Sequence, residues 1–385
     1  MDAKDAAKGG VAEAAEELIG LSHRVHGHPE LCFEEEQAAT WAAEVLTAHG
    51  FAVEAGVADL PTAFTATAGS GPLTIAICAE YDALPGVGHA CGHNVICAAG
   101  VGAGLALAPL ADELGITVKV MGTPAEEGGG GKILMLERGA FDGVQAAMMV
   151  HPAPMEMDTF PCLAVSHVDV SYTGKEAHAS AFPELGINAA DAITVAQVGV
   201  GLLRQHIRSS DRIHGIVTHG GEAPNIVPAH TTSKWYIRAA TLAQLAELEP
   251  KVHRCFQAGA VATGCEIEVE QMSPRYSEMR DDADMRALYR RNAETLGRTF
   301  PELRGAAKIA GSTDMANISL AIPTIHPMLG LGSYPVSNHQ PEFAAFCATE
   351  TADKAALDGA TAMAWTCIDM AGEGELRDRL VSGLR

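Results

Sequence analysis

The sequence predicts an α/β fold interrupted by a smaller α+β unit of ferredoxin-like order. Three observations carry this. Residues 73–79 alternate or run apolar as a strand, and 116–122 and 146–150 read as buried strands that each end at a polar constellation, with helical patterns between the strands. Between residues 164 and 271 the pattern reads β-α-β-β-α-β, the split ferredoxin-like unit. Finally, 385 residues exceed what one ordinary core encloses. The expected domains are 1–163 joined with 275–385, and 164–274 inserted between them.

In chain order, residues 11–26 place alanine and leucine at helical spacing with acids opposite, and 34–49 form a second helix closed by Gly50. Segments 62–68 and 73–79, parted by Gly69-Ser70-Gly71-Pro72, signal a hairpin or a strand–turn–strand. Residues 94–110 form a helix dense in Ala and Gly, suited to close burial against a sheet. In the inserted unit, strands are expected at 164–173, 214–219, 232–239 and 266–271, with helices at 187–206 and 242–263. A helix at 285–297, a strand-like 322–327 and a long final helix over 342–371 complete the chain.

Composition excludes several classes. Apolar residues make up 48% and charged residues 19%, as in a packed globular protein. A net charge of −22 disfavours nucleic acid and anionic membrane as partners. The N-terminal segment Met1–Lys8 carries acids and no apolar stretch, so it is not a signal peptide. The apolar runs near 99–109 and 143–150 are too short to span a bilayer. Nine cysteines, an odd and scattered set, point to free thiols in a reducing compartment, the cytoplasm.

The chemistry concentrates in Gly88-His89-Ala90-Cys91-Gly92-His93-Asn94 and, further along, in Glu126-Glu127, His151 and His339. Cys91 and His93, two apart after a strand, can aim at one point. With the carboxylates and further histidines they make an N/O/S donor set that suits zinc, manganese or a similar ion. Adjacent Glu126 and Glu127 leave a loop in different directions, so one can bind metal while the other serves as general base or acid. Gly128–Gly131 lets the backbone pass close by. A phosphate loop fails here, because Glu126 stands where a Walker glycine belongs and Ile133, not Ser or Thr, follows Lys132. Two other readings stand beside the metal one: Cys91 as a buried small hydrophobe, and Cys91 as a nucleophile with a histidine base. His326, also before a proline, competes with His339.

These motifs resemble the metallopeptidase family 20 amidohydrolases, relatives of aminoacylases and indole-acetyl-amino-acid hydrolases. The matching segments are Tyr81-Asp82-Ala83-Leu84-Pro85, His89–His93, Gly122–Lys132 and His151-Pro152. His26–Leu31, Gly174–Ala179, Gly186–Ala189, Gly221–Pro228 and Gly311–Met315 match in the expected order. The Gly-rich Glu-Glu segment is most similar to the aminobenzoyl-glutamate hydrolase and β-alanyl-dipeptidase branch. The resemblance implies a mixed-sheet di-metal hydrolase domain with an inserted ferredoxin-like lid and dimerisation domain, hence a homodimer. It implies two divalent ions, zinc or manganese, held by Cys91, His93, Glu127, His151 and His339, with Glu126 as the general base. His178 and Asn225 would polarise the scissile carbonyl, from their own subunit or a partner's, and Arg238 would contact a substrate carboxylate. Asp82 would orient a ligand or cap a turn. Asn94 stands where many relatives carry Asp and is not expected as a ligand. The implied reaction is hydrolysis of the amide bond in an N-acyl amino acid or an unusual dipeptide. A non-catalytic binding protein on the same fold is the alternative, as is a Cys91-dependent hydrolase.

Overall fold

The computed structural model describes residues 2–301 and 311–383. Twelve strands run in chain order among the described residues: β1 (Ala52–Ala55), β2 (Phe64–Ala68), β3 (Leu73–Ala79), β4 (Ile116–Gly122), β5 (Ala146–Met148), β6 (His151–Ala153), β7 (Ala164–Thr173), β8 (Arg212–His219), β9 (His230–Ala239), β10 (Glu266–Gln271), β11 (Thr324–Ile325) and β12 (Met328–Gly330). The described chain divides into two compact units, 1–161 with 279–385 and 162–278.

The larger unit is built on a six-stranded mixed sheet of order β1-β2-β4-β3-β5-β11. Strands β4, β3, β5 and β11 run parallel, and β2 is antiparallel to both neighbours. The turn at Gly69–Pro72 therefore joins two strands that do not pair, because β4 enters between β2 and β3. This settles the choice left by the sequence for strand–turn–strand and against a hairpin. Gly71 N–H bonds to Ile116 O at the start of the inserted strand, 3.2 Å away.

Apolar clusters cover both faces of this sheet. On one side lie the helices Ala15–Gly27, Glu36–Ala48, His93–Leu107 and Glu350–Ala371, packed through Leu18, Leu46, Val95, Val101 and Met363. On the other lie Gly131–Glu137 and Met315–Ala321, through Met135 and Ile318. The Ala/Gly-rich helix approaches the sheet closely: a Cβ on Gly104 would come within 2.4 Å of Val120 Cγ2, and one on Gly100 within 3.1 Å of Ala79 Cβ.

Three expectations need correction. The helix expected at 11–26 is two helices, Ala3–Glu13 and Ala15–Gly27, broken where Ala14 adopts φ −86°, ψ 1°. The expected final helix is also two, Pro341–Phe346 and Glu350–Ala371, the second capped by Thr349, and a further helix Glu375–Val381 follows. The helical stretch His93–Leu114 is, at 22 residues, long and apolar enough to cross a membrane by length and composition. Its most apolar 18-residue window is instead 83% buried inside the fold, as in a core helix.

The smaller unit is an antiparallel sheet of order β10-β7-β9-β8, with helices Ala189–Leu203 and Leu242–Thr263 on one face. Its core is Val168, Val170, Tyr172, Trp235, Ile237, Val252 and Phe256. Element order and strand order are those of the ferredoxin-like unit.

Gly104→Ala tests the close helix–sheet packing. Alanine favours the helix, but the overlap with Val120 outweighs that gain, so a net loss on the order of 1 kcal/mol is expected in urea unfolding. A raised midpoint would show that the helix has room to spare.

Candidate metal centre

The parallel strands β5, β3 and β4 are neighbours, so the loops leaving their C-terminal ends meet at one edge of the sheet. These loops carry Glu80–His93 after β3, Thr123–Gly131 after β4, and His151 after β5. Gly92, at φ 81°, turns the chain into the helix that starts at His93. A Cβ there would come within 2.8 Å of Pro152, so the residue between Cys91 and His93 has to be glycine.

Two donor triads built on Cys91 result, Cys91–His93–His151 and Cys91–Glu127–His339, whose ligand atoms lie within 4.8 Å of one another in each. The Cys91 Sγ lies 3.4 Å from His151 Nε2 and 3.6 Å from His339 Nε2, and His339 Nε2 lies 3.4 Å from Glu127 Oε1. Donors around one tetrahedral zinc, at ordinary S, N and O bond lengths, are about 3.4–3.6 Å apart. His93 Nε2 is buried and makes no hydrogen bond, as a nitrogen reserved for a metal would be. The residues present fit a pair of divalent ions in donor type, spacing and orphaned nitrogen.

The other ring nitrogens are occupied. His93 Nδ1 pairs with Asp82 Oδ1 at 3.0 Å, and His151 Nδ1 with Pro152 O at 2.9 Å, which leaves both Nε2 atoms facing the shared cysteine. Asp82 does a second job: its Oδ2 accepts the backbone N–H of Glu127 at 2.9 Å. Burial works against the Asp82 charge, yet His93 and the Glu127 N–H hold its carboxyl down at about 2. His339, at φ 70°, is fixed by its N–H to Ala90 O at 2.8 Å, and Glu127 raises its pKa.

Glu126 is 6% exposed, with Oε2 3.8 Å from His93 Nε2. Burial first, then Glu80 and Glu127, push its carboxyl well above the usual range. A buried carboxyl displaced upward beside this donor set can take up and release a proton. The thiol of Cys91 is likewise pushed well above its usual value by burial and Glu127. That is the opposite of an activated nucleophile.

The remaining sequence candidates fall as follows. Asn94 is buried and donates to Ser22 Oγ and Cys347 O, both at 2.8 Å, tying its helix to the core. His326 is buried with its ring 5.4 Å from that of His151 and stands outside both triads. His178, Asn225 and Arg238 belong to the smaller unit. There His178 bridges to Ile226, and Ala179 N–H bonds to Asn225 O, so His178 and Asn225 lie on adjoining, exposed segments. Arg238 lies on the sheet face away from the helices, its guanidinium 5.6 Å from the Tyr236 ring centroid and its Nε 3.4 Å from His214 Nε2.

Sequence reasoning missed a buried ion cluster beside the triads. Lys132 is fully buried, with Nζ 2.5 Å from Glu80 Oε1 and 2.7 Å from Asp314 Oδ1, while Glu80 Oε2 lies 3.4 Å from His93 Nε2. Glu80 thereby forms a further close grouping with His93 and Glu126. Its place at the end of β3 is a signal that could have marked it; Lys132 reads in the sequence only as a phosphate-loop lysine.

The chain matches the model of peptidase family M20/M25/M40 over residues 76–356. It is 36% identical to the Xaa-Arg dipeptidase of Mus musculus, across 94% of this chain and 87% of that protein. It is 33% identical to one of the p-aminobenzoyl-glutamate hydrolase subunits of Escherichia coli, across 64% of this chain and 56% of that one. Among solved structures, a dinuclear metal binding peptidase of the M20 family from Bacillus subtilis superposes with a TM-score of 0.64 at 21% identity, covering 93% of this chain and 99% of that one. An aminobenzoyl-glutamate utilization protein from Klebsiella pneumoniae superposes at 0.69 and 21% identity, covering 90% and 96%.

Asp82→Asn places an amide where one carboxylate serves both His93 and Glu127. We expect about a 10–100-fold loss of metal affinity, read by competition with a chromogenic chelator. Unchanged affinity would show that the two ligands need no common support.

Proposed function

The chain belongs to the M20/M25/M40 peptidase family, and from that premise we propose that it is a metal-dependent amidohydrolase cleaving N-acyl amino acids or small dipeptides. The observation that carries this is the pair of donor triads joined at Cys91 with buried Glu126 alongside. Cys91, His93 and His151 would hold one ion, and Cys91, Glu127 and His339 the other. Bound there, zinc or manganese would supply Lewis acidity for the carbonyl and for water. Glu126 takes the proton of the attacking water and returns it to the departing nitrogen. Asp82 keeps His93 and Glu127 in place during this cycle. His178 and Asn225 are proposed as donors to the developing oxyanion, each a contribution of roughly 3–4 kcal/mol in comparable sites.

For the leaving group we propose an amino acid with a free carboxylate, gripped by Arg238 through its paired N–H donors. The likeness to Xaa-Arg dipeptidases supports a dipeptide with a basic C-terminal residue as the first substrate to try. We propose a homodimer joined through the smaller unit. Its edge strand β8 exposes Ile216 (64%) and Val217 (41%), and an open apolar edge favours pairing with another strand. Nine free cysteines support a reducing compartment, the cytoplasm, as its place of work.

Two experiments test the mechanism. Glu126→Gln keeps fold and metal content but loses turnover by about 10²–10⁴-fold, assayed on dipeptides and N-acyl amino acids with added manganese or zinc. Activity like that of the wild type in this variant would sink the mechanism. Chelation removes activity and metal return restores it; activity that survives chelators but is lost on thiol alkylation would instead favour a cysteine hydrolase.

A further inference from the structure

Glu35 is fully buried within an acidic run whose other members, Glu34 and Glu36, are exposed. Its Oε1 accepts two backbone N–H bonds, from Phe33 and from Ala125, each at 2.9 Å. Its Oε2 accepts from Thr62 Oγ1, also at 2.9 Å. Phe33 and Ala125 share a second property: both are non-glycine residues in the left-handed region, at φ 64° and 57°. That region is unfavourable for residues with a side chain and persists only where the surroundings hold it.

One carboxylate oxygen thus pins two strained peptides from distant parts of the chain. The Phe33 ring closes the arrangement, since a Cβ on Gly129 would come within 2.8 Å of Phe33 Cε2 and 2.6 Å of Ala125 Cβ. Ala125 O accepts the N–H of Gly129 at 3.1 Å, which completes the turn. Ala125 immediately precedes Glu126, so its φ sets the direction in which Glu126 leaves that turn. Burial, then the charge of Asp82, push the Glu35 carboxyl up to about 7. Neither the metal triads nor Glu126 account for a carboxyl kept at that cost.

We propose that Glu35 is a positioning residue for Glu126, clamping the Ala125 peptide in the left-handed conformation that aims Glu126 into the centre. The proposal rests on Glu126 as the general base.

The test compares Glu35→Ala, Glu35→Gln and the double variant Glu35→Ala/Ala125→Gly, each loaded with manganese and checked for metal content. Glu35→Ala is expected to lower kcat about 10–100-fold with metal content unchanged. KM should stay within about twofold, since the lost alignment acts in the transition state. Hydrogen exchange of the 123–131 segment should quicken in the same variant. Glu35→Gln, whose amide oxygen still accepts both N–H groups, should regain most of the turnover. In the double variant, glycine adopts the left-handed conformation without penalty, so kcat recovers in part although the thermal midpoint does not.

A purely structural Glu35 predicts the reverse, kcat following the folded fraction with no recovery from glycine at 125. That result, or a folded Glu35→Ala with turnover like that of the wild type, overturns the proposal. Should Glu35→Ala fail to fold, Glu35→Asp keeps the buried carboxylate but draws it one methylene back from the Phe33 and Ala125 N–H groups. Reduced kcat at constant KM with faster exchange would then support the clamp, and no change in either would overturn it. An inactive wild type would count against the amidohydrolase reading alone, because the exchange measurement still reports on the clamp.

Discussion

The centre depends on one buried carboxylate. Asp82 joins one donor ring to the turn that carries another donor, with one oxygen on His93 Nδ1 and the other on the N–H of Glu127. Its two acceptors bind the loop after β3 to the loop after β4, so the donors of the two triads are set against each other by the protein alone. A buried carboxylate is costly when unpaired, and both of its oxygens are used here. Without it, Cys91 would still sit at the turn into the helix that starts at His93, but the nitrogen and oxygen donors would have no common reference.

The sheet explains why one residue can do this. Parallel neighbours β5, β3 and β4 deliver three loops to the same edge, and β2 runs antiparallel beside β4 without adding a fourth. The Ala/Gly-rich helix beginning at His93 lies close enough to the strands that its first residue sits within the loop cluster. Close packing and donor geometry are one constraint seen at two scales: moving the helix outward would carry His93 away from Cys91 and His151. The ion cluster of Lys132, Glu80 and Asp314 lies behind this array, so an acidic pocket is balanced by one buried cation.

Much of this is legible in the sequence. Strands β3 and β4 are marked to the residue because β3 is apolar but for Thr74 and β4 alternates Ile116, Val118 and Val120 with Thr117 and Lys119, and the donor types that meet follow from Cys91-Gly92-His93 and Glu126-Glu127. The insertion of β4 between β2 and β3 is not legible, because a short Gly/Pro turn reads the same whether its strands pair or part. Glu35 leaves no trace, since three consecutive glutamates before a helix look like a solvated first turn, and only the fold shows that the middle one points inward. Lys132 is hidden for the opposite reason: a lysine after four glycines suggests a phosphate, and its partners Glu80 and Asp314 are far away in sequence.

Whether Cys91 would join two metal sites in one chain is read by titration with cobalt(II) under anaerobic conditions. Two equivalents bound per chain are expected, with an intense thiolate-to-cobalt charge-transfer band and, in Cys91→Ala, loss of that band and weakened binding of both ions. A single equivalent, or two equivalents retained without change in Cys91→Ala, would contradict it.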